Sequence, residues 1–597
     1  SSLRGTGIST SFGESLAVTY GGHGLASALS LTSGEHAKHK KFAYDAQGNV
    51  STIQSVYTNG SVTESFNTRG QITNITDGDN ITNFEYDENA FLTSIIENGA
   101  RTQFQRDAKG RLTALTTPGQ QITTFDYTGL GEQTEQANVN WGTRRYSYDQ
   151  YGDIEEESTN LLRHQYFYTD SGLLTKKTLT RIDLTTPTVT ENYGYDDASE
   201  DANGTNYGVG HLTSLSNGFA AYKFIYNRKG SVRAMYSAID KTATASPITV
   251  SPQSPVTIYD YASDGLVTKI VYPSGDEIVY EYDPNSRKLV GVLRNGTSLA
   301  QLSYANSLQG ATEIDYGNGL KVTRVFDDRD RVNAITLDDG LWSEQYFYDN
   351  AGNLDQTIVS GTAPLEGAQS FAYNVKNELT AATGSYGTFS YGYDTSNNRT
   401  SVTRNGEVED YEYQQGTSRL TKTTNGVVVA ATNLDYDADG NVIVYGNKTL
   451  EYDSAGRIYR VSEDDQLLAS YSYDAFGRRV RKKTETAEIY FRYDSSGRLL
   501  EETDANDQLV RQYIYLDTGE LIAFYDADTA KLYYVHTDFL SAPVLATDEN
   551  AAIAWAAKRT PFGKTDLVVD DASLPIRASN QYYCLLYTSP SPRDFEA

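Results

Sequence analysis

The residues best suited to chemistry in this 597-residue chain are its carboxylates and a few histidines. Aspartate recurs after tyrosine in Tyr-Asp-x-x-Gly units, and such a series of carboxylates could bind Ca²⁺. The run DADGN, Asp437 to Asn441, even has the opening of an EF-hand loop. That loop needs a bidentate Glu at its twelfth position, where this chain has Lys448, so no metal site is expected. His536 and Asp538 stand two residues apart and would share one face of a strand, within reach as an acid and base. No nucleophile pattern accompanies them, and the chain has only 6 His. A structural role at the end of the array is expected instead. HAKHK, His36 to Lys40, lacks an acidic or thiol partner for a metal and reads as an exposed basic strand end. GGHG, Gly21 to Gly24, is not followed by the helix that a phosphate loop requires. Trp141 and Trp342 could stack on sugars, but packing within a sheet is the favoured reading. The chain is therefore read as a non-enzyme with no catalytic residue, no cofactor and no metal.

These residues sit in a repeat. The anchors are Tyr44, Asp45 and Gly48; Tyr86 and Asp87; Tyr148, Asp149 and Gly152; and Tyr348, Asp349 and Gly352. They continue through Tyr436, Asp437 and Gly440, then Tyr452, Asp453 and Gly456. Tyr473, Asp474 and Gly477, with Tyr493, Asp494 and Gly497, close the clearest run. Aromatic and polar residues alternate before each anchor, as in FEYD and YFYD, which marks a β-strand. The Asp carboxylate can accept backbone N–H groups two residues on, and the Gly supplies a left-handed backbone position. A second strand follows with Leu, Val or Ile. About ten residues later comes a second turn, often Asn-Gly: Asn59-Gly60, Asn98-Gly99, Asn295-Gly296, Asn405-Gly406 and Asn425-Gly426. Asn-Gly is the preferred pair for a two-residue hairpin turn. One hairpin alone is marginal in water, whereas about twenty side by side can form a long continuous sheet.

Composition fits a thin wall. The hydrophobic fraction is 38%, and 47 Tyr stand against 20 Phe, 3 Trp and 1 Met. Tyr buries a ring while its hydroxyl stays hydrated or bonded. A formal charge of −28 argues against nucleic acid as a partner. The single cysteine, Cys584, permits no intrachain disulfide. No apolar run is long enough for a membrane-spanning helix.

The Y-D-x-x-G-x-L/V units resemble the YD repeats of Rhs proteins, insecticidal toxin-complex C subunits and teneurins. The resemblance spans about Tyr44 to Tyr515. From Tyr533 to Lys564 the chain is similar to the Rhs repeat-associated core region: His536, Thr537, Asp538, Pro543, Asp548, Pro561, Phe562 and Gly563 match its motif. Phe539, Ser541 and Val544 depart from it, in place of His, Gly and Arg. The resemblance implies an all-β spiral of stacked antiparallel hairpins forming a hollow, cocoon-like wall. It divides the chain into an incomplete N-terminal β segment (1–40), the hairpin array (41–525) and the truncated start of the core region (526–583). Residues 584–597, which lack the repeat pattern, read as a non-native tail. The implied function is a bacterial Rhs-type shell, secreted or at the cell surface, around a C-terminal toxin cargo of the same polypeptide. Self-cleavage and toxin activity would lie beyond this chain. A secretion-apparatus or toxin-complex partner is a further expectation. The alternative is a cell-surface adhesion scaffold that binds glycans.

Overall fold

A computed structural model describes residues 8–9, 15–21, 24–33, 36–57, 60–183, 188–201, 204–241, 248–306, 309–425, 432–577 and 582. Among them runs one sheet of 51 strands in which every pairing is antiparallel. Each strand pairs with its neighbours in sequence. A small two-stranded hairpin, Glu200–Asp201 with Gly204–Thr205, stands apart. The only helix among the described residues is a single turn, Asp338–Leu341.

The local cause of this order is visible in each anchor strand. In Asn80–Tyr86 half-buried and exposed residues alternate, which leaves Phe84 and Tyr86 on one face. The register shifts by one residue between Glu85 and Tyr86, and the same bulge recurs at Tyr44, Tyr148, Tyr348, Tyr452 and Tyr493. A bulge increases the local twist, so a bulge in every hairpin bends the sheet steadily in one direction.

The bend brings distant hairpins together. Asn80 meets Ala351, Asn160 meets Asp439, and Asn217 meets Tyr473. Partners in these contacts lie 256 to 279 residues apart in sequence. The ribbon has therefore coiled so that a second circuit lies against the first. The core sits where the C-terminal strands overlap the middle of the chain. There Tyr272, Ile278, Val292, Ile314 and Trp342 share a cluster with Val480, Ile514, Ile522 and Leu545. Among the described residues only Ala114, Leu179 and Val189 are buried apolar residues before position 200.

Candidate functional site

The turn after each anchor is a closed polar unit. Asp45 Oδ1 accepts the N–H of Gln47 (2.9 Å) and of Asn49 (2.8 Å), and Gly48 N–H closes back on the Asp45 carbonyl. Asp87, Asp149, Asp437, Asp453, Asp474 and Asp494 make the same pair of bonds, and Asp349 bonds to Asn353 N–H at 2.8 Å. Where Arg follows four residues on, its Nε takes the second oxygen: Arg457 on Asp453, Arg478 on Asp474, Arg498 on Asp494. Gly477 has φ 82°, a region costly for any residue with a Cβ. Gly48, Gly152, Gly352, Gly440, Gly456 and Gly497 share that left-handed conformation. The structure also forces it on Ala90 (φ 70°) in the Tyr86 unit and on Ser541 (φ 59°).

At Asp437 both carboxylate oxygens are engaged. Oδ1 holds the turn, and Oδ2 takes Asn441 Nδ2 (3.0 Å) and Arg181 (3.2 Å). Lys448 pairs with Glu463 on the next strand (2.8 Å). Among the described residues no group of three or more His, Cys, Asp or Glu is placed to hold a metal ion.

The anchor tyrosines do something that spacing alone does not reveal. Tyr86 OH donates to the Ile72 carbonyl (2.8 Å), at the start of a strand in the preceding hairpin. Tyr44 does so to Ala26, Tyr148 to Gln133, Tyr348 to Val332 and Tyr436 to Leu420. Tyr452 bonds to Val442, Tyr473 to Ile458 and Tyr493 to Arg479, all within 2.6 to 2.9 Å. Each hydroxyl thus fastens one hairpin to the one before it. The signal was in the composition: Phe would pack equally well, so the preference for Tyr points to a use for the oxygen. At the far turns, Asn98, Asn295 and Asn405 have φ of 48°, 50° and 52°, each followed by a left-handed Gly. Their side chains accept the N–H of Ile81, Glu277 and Thr388 in the preceding strand (2.8 Å each). Asn59 and Gly426 lie outside the described residues.

A seam joins the two circuits. Far turns of the first circuit meet the Asp turns of the second. Asn80 Nδ2 donates to the Ala351 carbonyl (2.8 Å), and Asn160 N–H donates to Asp439 Oδ1 (3.0 Å). Tyr222 OH donates to Asp474 Oδ2 (2.8 Å), and the buried Arg181 reaches Asp437. Close approach requires Gly78, where a Cβ would strike the Asn350 backbone. The Asp turn therefore has two roles, one within its hairpin and one across the seam.

The residues that resemble the core-region motif lie at the overlap of the two layers. His536 is fully buried, its Nε2 is 3.0 Å from Thr547 Oγ1, and its ring stands edge-on to Tyr316 at 4.8 Å. Burial pushes its imidazole down to about 3, so it is neutral. It does not meet Asp538. The register shift between His536 and Thr537 ends the strand, and Asp538 enters a turn where it binds the Leu540 and Ala542 N–H groups and pairs with Arg559. Asp548 caps the next turn in the same way, and its carbonyl accepts Asn318 Nδ2 (2.9 Å). Pro561-Phe562-Gly563 forms a turn that sets the Phe562 ring edge-on to Tyr391 at 5.0 Å. Phe539 packs on Tyr346 at 4.9 Å. Trp342 is buried in the main core, and Trp141 is half-buried. His39 of HAKHK bonds to Ser30 Oγ at 2.9 Å, and Lys38 pairs with Asp330. Gly22, His23 and Cys584 lie outside the described residues.

Beside the Phe562 turn lies a cavity of about 480 Å³, lined by Trp342, Thr357, Phe371 and Phe562 among others. Glu344 projects into it with its carboxyl pushed up to about 7, by burial first and by the nearby Asp538 charge second. In the sequence this residue is an ordinary strand Glu, and nothing around it announces its burial.

The family model of the Teneurin YD-shell matches residues 8–137 and 295–573, together more than half of the chain. Among curated proteins, the tRNA3(Ser)-specific nuclease WapA of Bacillus spizizenii is 29% identical over 107 residues, 17% of this chain and 4% of that protein. Teneurin-m of Drosophila melanogaster is 29% identical over 134 residues, 22% of this chain and 5% of its own length. Among solved structures, a Tc holotoxin pore of Photorhabdus luminescens with a mutant TccC3 superposes at a TM-score of 0.74. It covers 95% of this chain at 13% identity. A TcdB2–TccC3 structure superposes at 0.65, with 96% covered at 14% identity. The chain spans about a third of those solved chains, and at such identity the likeness is one of fold. The Tyr hydroxyl bonds, the Asp turns and the matched family model lead to one conclusion: the chain belongs to the Teneurin YD-shell family.

Proposed function

We propose that this chain is the wall of an Rhs-type shell that encloses a polypeptide cargo carried on the same chain. The observation that carries the reading is the seam, because circuits that bond to each other make a continuous barrier rather than an open ribbon. The Tc structures add support, since one of them is described as lacking a hypervariable C-terminal region of TcdB2–TccC3. The wall acts physically, by sequestering a segment, and its own residues break no bond. We place the hairpin array at 41–525 and the start of the core region at 526–583, with the cargo further along the polypeptide. Such a shell would act outside the producing cell or at its surface.

The test is protease digestion and electron microscopy of the polypeptide extended through its downstream coding sequence. A hollow wall with a protease-resistant C-terminal segment is expected. A solid rod, or a C-terminal segment cut as fast as a free peptide, would contradict enclosure. A membrane anchor or further adhesive repeats encoded downstream would favour the adhesion scaffold instead.

A further inference from the structure

We propose that a second cavity binds a carboxylate carried on an apolar or aromatic body. It is bounded by the strands Arg479–Lys483, Glu488–Tyr493, Leu499–Thr503 and Leu509–Tyr515, and by the bridge between Ile576 and Tyr582. At about 310 Å³ it lies at the lower end of the range for small-molecule pockets, about 300–1,000 Å³. Rings form most of its wall, from Phe491, Tyr493, Tyr515 and Tyr582. The charged residues that line it, Arg479 and Arg498, are both cations. Gly497 lines it and is exposed, so the cavity opens at the turn end of these strands.

Arg479 points to the ligand. Its guanidinium lies over the rings of Tyr471, Phe491 and Tyr582, at 5.4, 5.1 and 5.0 Å. Such stacking uses the faces of the guanidinium and leaves its edge, where all its N–H groups point, for an acceptor. Arg479 Nε is buried without a hydrogen-bond partner among the described residues, whereas buried donors in native proteins are nearly always satisfied. The carboxylates nearby are already engaged. Asp494 pairs with Arg498 (2.8 Å) and caps its own turn. Glu502 pairs with Arg511 (3.4 Å) and accepts the hydroxyls of Tyr513 and Tyr582. Lys482 adds a further positive charge over the Tyr582 ring, at 5.8 Å. A carboxylate in the plane of the Arg479 fork would meet paired donors and an opposite charge, with its body against the rings. An amine there would face Arg479 and Arg498 together. This inference does not depend on what the wall encloses.

Titration calorimetry of the full chain with 3-phenylpropionate tests it, with 3-phenylpropanamide as the control of like shape and no charge. The acid is expected to bind at about pH 7, and the amide at least about tenfold more weakly. Arg479→Gln should weaken the acid by a similar factor. Leu499→Phe, which fills the cavity and leaves Arg479 in place, should do the same, and it decides the matter if Arg479→Gln fails to melt cooperatively. A second arm uses the peptide acetyl-Leu-Phe-Glu-amide. Binding of the peptide alone assigns the carboxylate to a polypeptide side chain, and binding of the small acid assigns it to a free ligand. Equal binding of the amide, unchanged affinity in both variants, or no binding of either carboxylate overturns the proposal.

Discussion

The stretch from Gly60 to Tyr168 and the stretch from Leu499 to Ile576 are built from the same kind of hairpin, yet one is a bare wall and the other a core. In Ala100–Arg106 half-buried residues alternate with exposed ones, so one face meets solvent. In Leu521–Asp526 five of six residues are buried. Ile514, Ile522 and Leu545 face the middle of the chain, while Tyr513, Phe524 and Trp555 pack under Leu574 and Ile576. The repeat fixes register and turn in both places. What differs is one face of each strand: Arg101, Gln103 and Gln105 are exposed in the bare wall, whereas Ile522 and Phe524 are buried in the double layer. Local chemistry makes the ribbon, and the outward-facing residues decide whether another layer may cover it.

Truncation should separate the two most sharply. Trp555→Ala removes a fully buried indole from the double layer and should cost about 3–5 kcal/mol in urea denaturation. Ile81→Ala, at a residue 46% exposed on the bare wall, should change stability by about 0.5 kcal/mol or less. Equal costs would erase the distinction.

Acid should attack the double layer first. His536 is neutral when folded, with its imidazole held at about 3 against an ordinary 6.5. The unfolded chain therefore binds more protons below 6.5, and stability falls as pH drops from there towards 3. The total should approach about 4 kcal/mol. His536→Gln should flatten that limb of the pH–stability curve, and an unchanged slope would refute the burial argument.

Removing the hydroxyl links gives a smaller contrast. Tyr148→Phe frees a carbonyl on the bare wall that water can reach, at about 0.5–1.5 kcal/mol. Tyr493→Phe strands the Arg479 carbonyl beside the second layer, at about 1–3 kcal/mol. Thermal melts of the two variants should rank in that order.

The turns give a contrast of sign rather than of size. Gly477→Val puts a β-branched residue at φ 82° and should cost about 1 kcal/mol or more. Ser541→Gly relieves a residue at φ 59° in the core-region turn, and a gain of up to about 1 kcal/mol is expected by the same scale. Opposite signs in paired melts would confirm that both positions make the same backbone demand.

The repeat, its two turns and the single sheet were legible in the sequence because they arise between residues a few positions apart. Asp474 shows why the seam was not. Its turn role is written in the next four residues, whereas its bond to Tyr222 joins positions 252 apart with no local trace. His536 and Asp538 misled in the opposite way, since alternation places them together and a one-residue bulge parts them. Glu344 was hidden because its burial comes from strands nearly 200 positions further along.

The seam also sets a clock for synthesis. Asn80 leaves the ribosome 271 residues before Ala351, the partner that closes over it. At about 5–20 residues per second, the interval is roughly 15–55 s. For that time Asn80 and the other seam groups of the first circuit have no partner, because the turns that cover them have not yet been made.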